Sequence, residues 1–207
     1  MSPRFSISKT DLLDFLDSWE QALSGEVLAV ACGGTALTLN ELSASTKDVD
    51  LLIPDPEHYQ RLIKALKGLG YSNVSGFGWA IPGSPWIFDL FRGQRIFQTE
   101  LLDAIHEPGN HRIIKRYGNL TIGTLTPQDL MISKLFRGTA TDVQDCMTIL
   151  NAESIDLKAF AERYKETAGY DIDPAKCKKH LNYLIAELEE SSIDATNLKI
   201  MSEEWIP

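Results

Sequence analysis

Two glycines and two aspartates, a short segment apart, are the residues in this chain best suited to chemistry. Gly33-Gly34-Thr35 follows the apolar run Val27 to Ala31, which predicts a buried strand that ends in a tight turn. Adjacent glycines let the backbone approach a ligand and direct N–H groups at an anion. A short helix predicted over residues 35–42 would add the partial positive charge of its N-terminus. This pattern predicts a phosphate-binding turn.

Asp48 and Asp50 lie at the start of a leucine-rich strand predicted over residues 48–53. Because strand side chains alternate between the two faces of a sheet, both carboxylates should project from the same face. Two neighbouring carboxylates repel each other unless a cation lies between them, and Mg²⁺ or Mn²⁺ is the expected ion. The alternative is an edge strand whose two aspartates are simply solvated.

Taken together, the glycine turn and the Asp48-Val49-Asp50-Leu51-Leu52 strand resemble the signature of the nucleotidyltransferase (polymerase-beta-like) superfamily. The resemblance implies an α+β (α/β) fold, with a small mixed β-sheet flanked by helices and a helical C-terminal part. It also implies transfer of a nucleotidyl group from an NTP to an acceptor hydroxyl or phosphate. Gly33, Gly34 and Thr35 would then contact phosphate oxygens, and Asp48 and Asp50 would hold Mg²⁺ or Mn²⁺.

Asp89 is the one acidic residue of a predicted aromatic and aliphatic strand, Trp86 to Phe91. An aspartate in such a run should be paired or metal-bound, because burying an unpaired charge is costly. The superfamily has a third carboxylate in the form hydrophobic-Asp-hydrophobic, which Phe88-Asp89-Leu90 matches. The resemblance implies that Asp89 completes the metal site and helps to deprotonate the acceptor. The alternative is an aspartate that faces water.

A second resemblance begins at Thr126-Pro127, which predicts a helix start, and runs through two predicted helices. The first helix spans residues 128–137, and a capping box at Thr141 and Gln144 is expected to open the second. This segment is similar to a motif of the AbiEii-type abortive-infection toxins, although Thr141 replaces that family's arginine. The positions that match are Lys134, Arg137, Asp142 and Asp145.

The toxin-like motif implies a nucleotide-binding role for Lys134, Arg137 and Asp145. As a point cation, Lys134 would neutralise triphosphate charge, and Asp145 would orient it. The alternative is a salt bridge between the two helices. Whether Asp142 and Asp145 are catalytic or structural stays open at this point.

The composition is that of an ordinary globular chain of 207 residues with a formal net charge of −9. We expect a nucleotidyltransferase core over residues 1–125 and a helical region over 126–207. No segment approaches the roughly 18 apolar residues of a membrane span, and residues 1–6 lack an apolar signal region. Cys32, Cys146 and Cys177 have no metal-ligand spacing and are expected to be buried thiols, which favours a cytoplasmic location.

The acceptor stays open: tRNA, a protein or a small molecule all fit, and a toxin-like enzyme would have a cognate antitoxin. The negative charge disfavours nucleic-acid binding over the whole surface. An RNA acceptor would need the basic stretch His111–Arg116, which a solvated strand edge also explains. The other two possibilities are an aminoglycoside-type resistance enzyme and a catalytically silent nucleotide-binding partner protein. The four histidines show no spacing typical of a ligand set.

Overall fold

A computed structural model describes residues 6–207, so the expectation for the extreme N-terminus lies outside the described residues. The chain divides into two compact units. The first comprises Met1–Arg95 and Asp103–Thr126, and the second comprises Ile96–Leu102 and Pro127–Pro207. In the described part of the chain, no helix is both long enough and apolar enough to cross a membrane.

Eight helices and eleven strands are formed by the described residues. The helices are α1 (Lys9–Glu20), α2 (Gly33–Leu39), α3 (Pro56–Gly68), α4 (Pro127–Arg137), α5 (Ala140–Ala152), α6 (Leu157–Ala168), α7 (Pro174–Glu190) and α8 (Thr196–Glu204). The strands are β1 (Ile7–Ser8), β2 (Val27–Ala31), β3 (Ser45–Thr46), β4 (Val49–Ile53), β5 (Ser72–Ser75), β6 (Gly78–Ala80), β7 (Phe88–Arg92), β8 (Arg95–Ile96), β9 (Thr99–Glu100), β10 (His111–Tyr117) and β11 (Leu120–Leu125).

The first unit is built on a seven-stranded mixed sheet in the order β10-β11-β2-β4-β7-β6-β5. Strand β2 pairs parallel with β11 and antiparallel with β4, and β4 pairs parallel with β7. Helices α1, α2 and α3 accompany this sheet, while α4 to α8 belong to the second unit. The predicted fold class, a small mixed sheet flanked by helices with a helical C-terminal part, is confirmed.

Central strands of the sheet are apolar on both faces, as expected for strands covered by helices. All five residues of β4 are buried. On one side, Trp19 of α1 donates a hydrogen bond from Nε1 to the Tyr71 hydroxyl (3.0 Å), and its ring lies 4.8 Å from that of Phe88. This aromatic packing fixes β7 at the residue next to Asp89.

Helix α3 and the hairpin after it follow local sequence rules. Asp55 caps α3 by accepting hydrogen bonds from the amides of Glu57 and His58, and Pro56 occupies the first turn. Strands β10 and β11 form the hairpin expected around Gly118-Asn119. Strand β10 is an edge strand, and Arg112, Lys115 and Arg116 are exposed on it. All three cysteines are free and buried, as predicted.

Two local predictions are wrong. The helix expected over residues 97–105 is absent: β9 and turns occupy this stretch, and Phe97 adopts a positive φ of 52°. Leu101 and Ile105 are buried four residues apart, which imitates a helical stripe, but the chain leaves one unit for the other between residues 102 and 103. The capping box that opens α5 consists of Thr139 and Asp142, not Thr141 and Gln144. Gly138, with a φ of +65°, turns the chain so that Thr139 becomes the cap.

Candidate active site

Asp50 and Asp89 lie directly opposite each other on neighbouring strands. Strands β4 and β7 are parallel, and their register pairs Asp50 with Asp89 between the pairs Val49–Phe88 and Leu51–Leu90. Paired residues of adjacent strands lie about 4.8 Å apart and face the same side of the sheet. Asp50 is buried and Asp89 is half-buried. The structure therefore brings together two carboxylates that the sequence places 39 positions apart.

The glycine turn lies against one of these carboxylates. Gly33 has a φ of +56°, and a Cβ built on it would overlap Oδ2 of Asp50. The amide of Cys32 also donates a hydrogen bond to the Asp50 carbonyl (3.1 Å), which joins the end of β2 to the start of β4. Glycine is required at position 33 both by the backbone conformation and by this close approach.

Two buried threonine hydroxyls hold the backbone of the aspartate strand. Thr35 Oγ1 donates to the Asp48 carbonyl (3.0 Å) and accepts from the Asp50 amide (2.9 Å). Thr46 Oγ1 donates to the same carbonyl at 2.8 Å. Thr35 is fully buried, so its hydroxyl positions the two aspartates, and direct phosphate contact by this residue stays a prediction. Thr46 was missed from sequence, although a threonine two residues before Asp48 is typical of a local turn contact.

Helix α2 begins at Gly33, immediately after β2. Its N-cap residue, Cys32, makes no side-chain hydrogen bond to the first-turn amides, whereas Ser8 and Asp55 cap α1 and α3 in this way. A helix start without a side-chain cap leaves amides to be satisfied by other groups, and phosphate oxygens are suitable acceptors. Phosphate binding by Gly33 and Gly34 stays a prediction that this geometry fits.

Electrostatics couple the third aspartate to this cluster. Burial raises the pKa of the Asp89 carboxyl above its usual range, and the negative charge of Asp48 raises it further. Asp48 itself is exposed and immediately precedes β4. The three aspartates thus share a field in which each added negative charge is unfavourable, as expected for carboxylates that await a cation.

The aspartates have the donor chemistry that Mg²⁺ and Mn²⁺ require, because carboxylate oxygens are hard ligands. As placed, no three His, Cys, Asp or Glu side chains among residues 6–207 form a complete metal cluster. Mg²⁺ is commonly held by one or two carboxylates together with substrate phosphates. Asp48, Asp50 and Asp89 fit this second type of site, in which the nucleotide supplies part of the ligand set.

The predicted nucleotide residues of the second unit form two ion pairs. Lys134 Nζ lies 2.6 Å from Asp145 Oδ2, and the Lys134 side chain is 1% exposed. Arg137 pairs with Asp142 at 2.5 Å, and Asp142 also accepts hydrogen bonds from Thr139. The inter-helix salt bridge considered for Lys134 is therefore present, and Asp142 has a structural role at the α5 cap. A role of these residues toward nucleotide stays a prediction.

A mixed sheet with opposed aspartates on β4 and β7, and a glycine turn against one of them, defines the nucleotidyltransferase class of fold and site. The chain belongs to the family described as nucleotidyltransferase of unknown function (DUF6036), which it matches over residues 11–192. The superfamily predicted from sequence is thereby confirmed. The comparison with curated proteins gave no match.

Two solved structures are similar to the chain. One is an antigenic nucleotidyltransferase-like protein from Paracoccidioides brasiliensis, with a TM-score of 0.54 and 16% identity, over 94% of this chain and 95% of that one. This likeness supports the fold. The other is MenT4, a nucleotidyltransferase toxin from Mycobacterium tuberculosis, with a TM-score of 0.36 and 19% identity, over 94% of this chain and 70% of that one.

Replacing Gly33 by alanine is expected to disrupt the site and to lower stability by about 1–3 kcal/mol, the usual cost of a non-glycine residue held in a strained conformation. The added methyl group would overlap the Asp50 carboxylate. The matched control is Gly70→Ala, because Gly70 also has a positive φ (89°) but nothing lies within 4 Å of a Cβ there. Chemical denaturation and Mn²⁺ binding should separate the two variants. Equal Mn²⁺ binding by both would show that the Gly33–Asp50 contact is unimportant.

Replacing Thr35 by valine should remove two buried hydrogen bonds at nearly constant volume. We expect a loss of about 1–3 kcal/mol, because the Asp50 amide and the Asp48 carbonyl both lose a partner. Thr38→Val is the control: this side chain is equally buried, but its hydroxyl donates only to the Gly34 carbonyl of its own helix. Urea denaturation of both variants tests the difference. A Thr35→Val variant as stable as Thr38→Val would contradict the positioning role.

Proposed function

We propose that this protein catalyses metal-dependent transfer of a nucleotidyl group from an NTP to an acceptor hydroxyl or phosphate. The observation that carries the proposal is the direct opposition of Asp50 and Asp89 on parallel strands beside the Gly33 turn. Family membership supports transferase chemistry in general. The metal, the nucleotide and the acceptor are our inference from the site.

In the proposed reaction, an acceptor oxygen attacks the α-phosphorus of the NTP. A bond forms between that oxygen and phosphorus, the bond to the bridging oxygen breaks, pyrophosphate leaves, and the acceptor loses its proton. Asp89 is the residue proposed to take this proton, because its raised pKa makes it a better base than an ordinary aspartate. Gly33 and Gly34 bind the phosphates through their amides.

Asp48, Asp50 and Asp89 are the residues that would hold Mg²⁺ or Mn²⁺, which supplies Lewis-acid polarisation of the phosphates and charge neutralisation. The chain's own contribution is to place the carboxylates before substrate binds. The Thr35 and Thr46 hydroxyls do so from below the strand, and the Asp50–Asp89 register does so across it.

Asp89→Asn should stabilise the metal-free protein at neutral pH. The folded-state pKa of Asp89 is raised, so the folded protein binds the proton more tightly than the unfolded chain does. Stability therefore falls as the pH rises from the ordinary aspartate value of about 3.9 through the raised value. Asparagine removes that penalty.

Thermal melting at pH 4 and pH 7.5, with and without Mg²⁺, measures this effect. We expect the variant to exceed the wild type at pH 7.5 without metal, and Mg²⁺ to raise the wild-type midpoint more than that of the variant. A variant that is less stable at pH 7.5, or one that responds to Mg²⁺ as the wild type does, would contradict the assignment of Asp89 to the metal site.

The acceptor should be sought among three classes. The toxin-like motif at Lys134, Arg137 and Asp145 favours tRNA or a protein acceptor and a cognate antitoxin, whereas the net charge of −9 suits a cationic aminoglycoside. Each α-labelled NTP should be incubated with total tRNA, protein extract and aminoglycosides, with Asp50→Asn as the inactive control. Label transferred by the wild type alone supports the proposal. Transfer to none of the three classes, with no NTP binding, would favour a catalytically silent protein.

A further inference from the structure

Three of the four histidines of this chain, distant in sequence, line one cavity of the first unit. The cavity has a volume of about 440 Å³, and His58, His106, His111 and Arg116 lie on its wall, with Glu26 and Leu28. His58 comes from the first turn of α3, His106 from the loop before β10, and His111 and Arg116 from β10. The sequence gives no spacing that would have revealed this grouping.

Two of these imidazoles are held in place by the backbone. His58 Nδ1 accepts a hydrogen bond from the Leu28 amide at 3.2 Å, so the neutral ring carries its proton on Nε2. His111 Nδ1 lies 2.7 Å from the Ile105 carbonyl, which accepts, so His111 Nε2 is an acceptor when neutral and a donor when protonated. Both rings therefore keep Nε2 for a further partner in a fixed orientation.

The surrounding charges favour an anion. Arg116 contributes a permanent positive charge from β10, and the histidines gain charge as the pH falls through the imidazole range near about 6.5. The acidic groups on the adjoining elements are Glu26, which is exposed ahead of β2, and Asp55 at the start of α3. Asp55 already accepts the amides of Glu57 and His58. One arginine and up to three imidazolium groups outnumber these two carboxylates.

This cavity is separate from the aspartate site. It lies at the start of β2, beside Val27 and Leu28, whereas the Asp50 carbonyl is bonded to Cys32, after the end of β2. Four residues of strand separate Leu28 from Cys32, which corresponds to about 13 Å. The cavity therefore does not belong to the proposed catalytic centre.

We propose that this histidine-lined cavity is a binding site for a phosphate group, formed by His58, His111 and Arg116 and weakened by Glu26. His58 and Arg116 donate hydrogen bonds to the phosphate oxygens. His111 accepts from a phosphate hydroxyl at neutral pH and donates once protonated. The phosphate belongs either to a free nucleotide or to an RNA backbone, and the site does not depend on whether the chain transfers nucleotides.

Histidine-selective NMR of the whole chain tests this proposal, with sulfate as a probe that does not titrate between pH 6 and pH 8. His180 is an internal reference, because it lies in the second unit with Nδ1 2.7 Å from the Leu135 carbonyl. Sulfate should shift the signals of His58 and His111 and leave that of His180 in place. Binding should be at least about tenfold tighter at pH 6 than at pH 8, the effect of one charge-assisted hydrogen bond gained.

Four variants give opposite expectations. His111→Gln and Arg116→Gln should each weaken sulfate binding about tenfold or more, and Glu26→Gln should strengthen it. Lys115→Gln is the matched control, because it removes the same charge as Arg116→Gln from the next residue of β10 but does not line the cavity. Equal losses in Lys115→Gln and Arg116→Gln, or a His180 shift as large as the others, would overturn the proposal.

Competition then identifies the source of the phosphate. Displacement of sulfate by AMP, with no effect of a short oligouridylate that lacks terminal phosphates, indicates a terminal phosphate. The reverse result indicates an RNA backbone. If neither compound displaces sulfate, the cavity is not a phosphate site.

Discussion

Asp50→Asn is expected to reduce nucleotidyl transfer by at least about 100- to 1,000-fold, the scale on which single preorganised electrostatic groups act. Asp50 is buried, faces Asp89 across β4 and β7, and lies against Gly33, so no neighbouring carboxylate is placed to substitute for it. The melting temperature of the metal-free variant should equal or exceed that of the wild type, because repulsion between carboxylates is relieved.

Turnover with labelled NTP and thermal melting of the same preparations provide the measurement. Asp11→Asn is a suitable control, because this aspartate lies in α1 and contacts Ser8 at the helix start. It should retain full activity. Full activity in a folded Asp50→Asn protein would remove Asp50 from the site.

A double-mutant cycle on Lys134 and Asp145 should distinguish a nucleotide-binding role from a purely structural one. Lys134→Met leaves Asp145 unpaired and should cost about 2–4 kcal/mol, while Asp145→Leu leaves a buried ammonium and should cost about 3–5 kcal/mol. The double variant, Lys134→Met with Asp145→Leu, should return to within about 1 kcal/mol of the wild type, because apolar pairs replace buried ion pairs well.

Nucleotide affinity should behave differently from stability in this cycle. If Lys134 binds triphosphate, the double variant folds normally but still binds NTP about tenfold or more weakly, the loss of one charge-assisted hydrogen bond. Arg163→Met, which breaks the Arg163–Asp129 pair of the same unit, is the control and should lower stability without changing NTP affinity. Recovery of both stability and affinity in the double variant would show that the salt bridge is structural only.

Much of the fold follows from local sequence signals. The run Val27–Ala31 forms the strand it predicts, because five consecutive apolar residues suit a strand covered on both faces. Asp55-Pro56 starts α3, and Gly118-Asn119 joins β10 to β11, because these residues encode caps and turns within a few positions.

Other features depend on partners distant in sequence. The spacing of Leu101 and Ile105 matches a helix, but both are buried in a stretch that contains β9 and turns. The two-residue pairing of β1 with β3 is too short to leave a periodic signal. Helix α8 lies in a tail that reads as polar, and the buried Leu198 anchors it.

The candidate site divides in the same way. The glycine turn and the spacing of Asp48 and Asp50 are local, so the sequence reveals them. The Asp50–Asp89 register and the buried Thr35 and Thr46 hydroxyls arise only when β2, β4 and β7 pair. The grouping of three histidines around one cavity likewise requires the fold.

The most direct test of the central claim is a titration of Mn²⁺ into the protein with a non-hydrolysable NTP, followed by electron paramagnetic resonance of the free ion. The proposed site predicts that the wild type removes Mn²⁺ from solution when the nucleotide is present. Asp50→Asn and Asp89→Asn should each abolish that uptake, and Asp11→Asn should retain it. Equal uptake by the wild type and Asp50→Asn would contradict a metal site on β4 and β7.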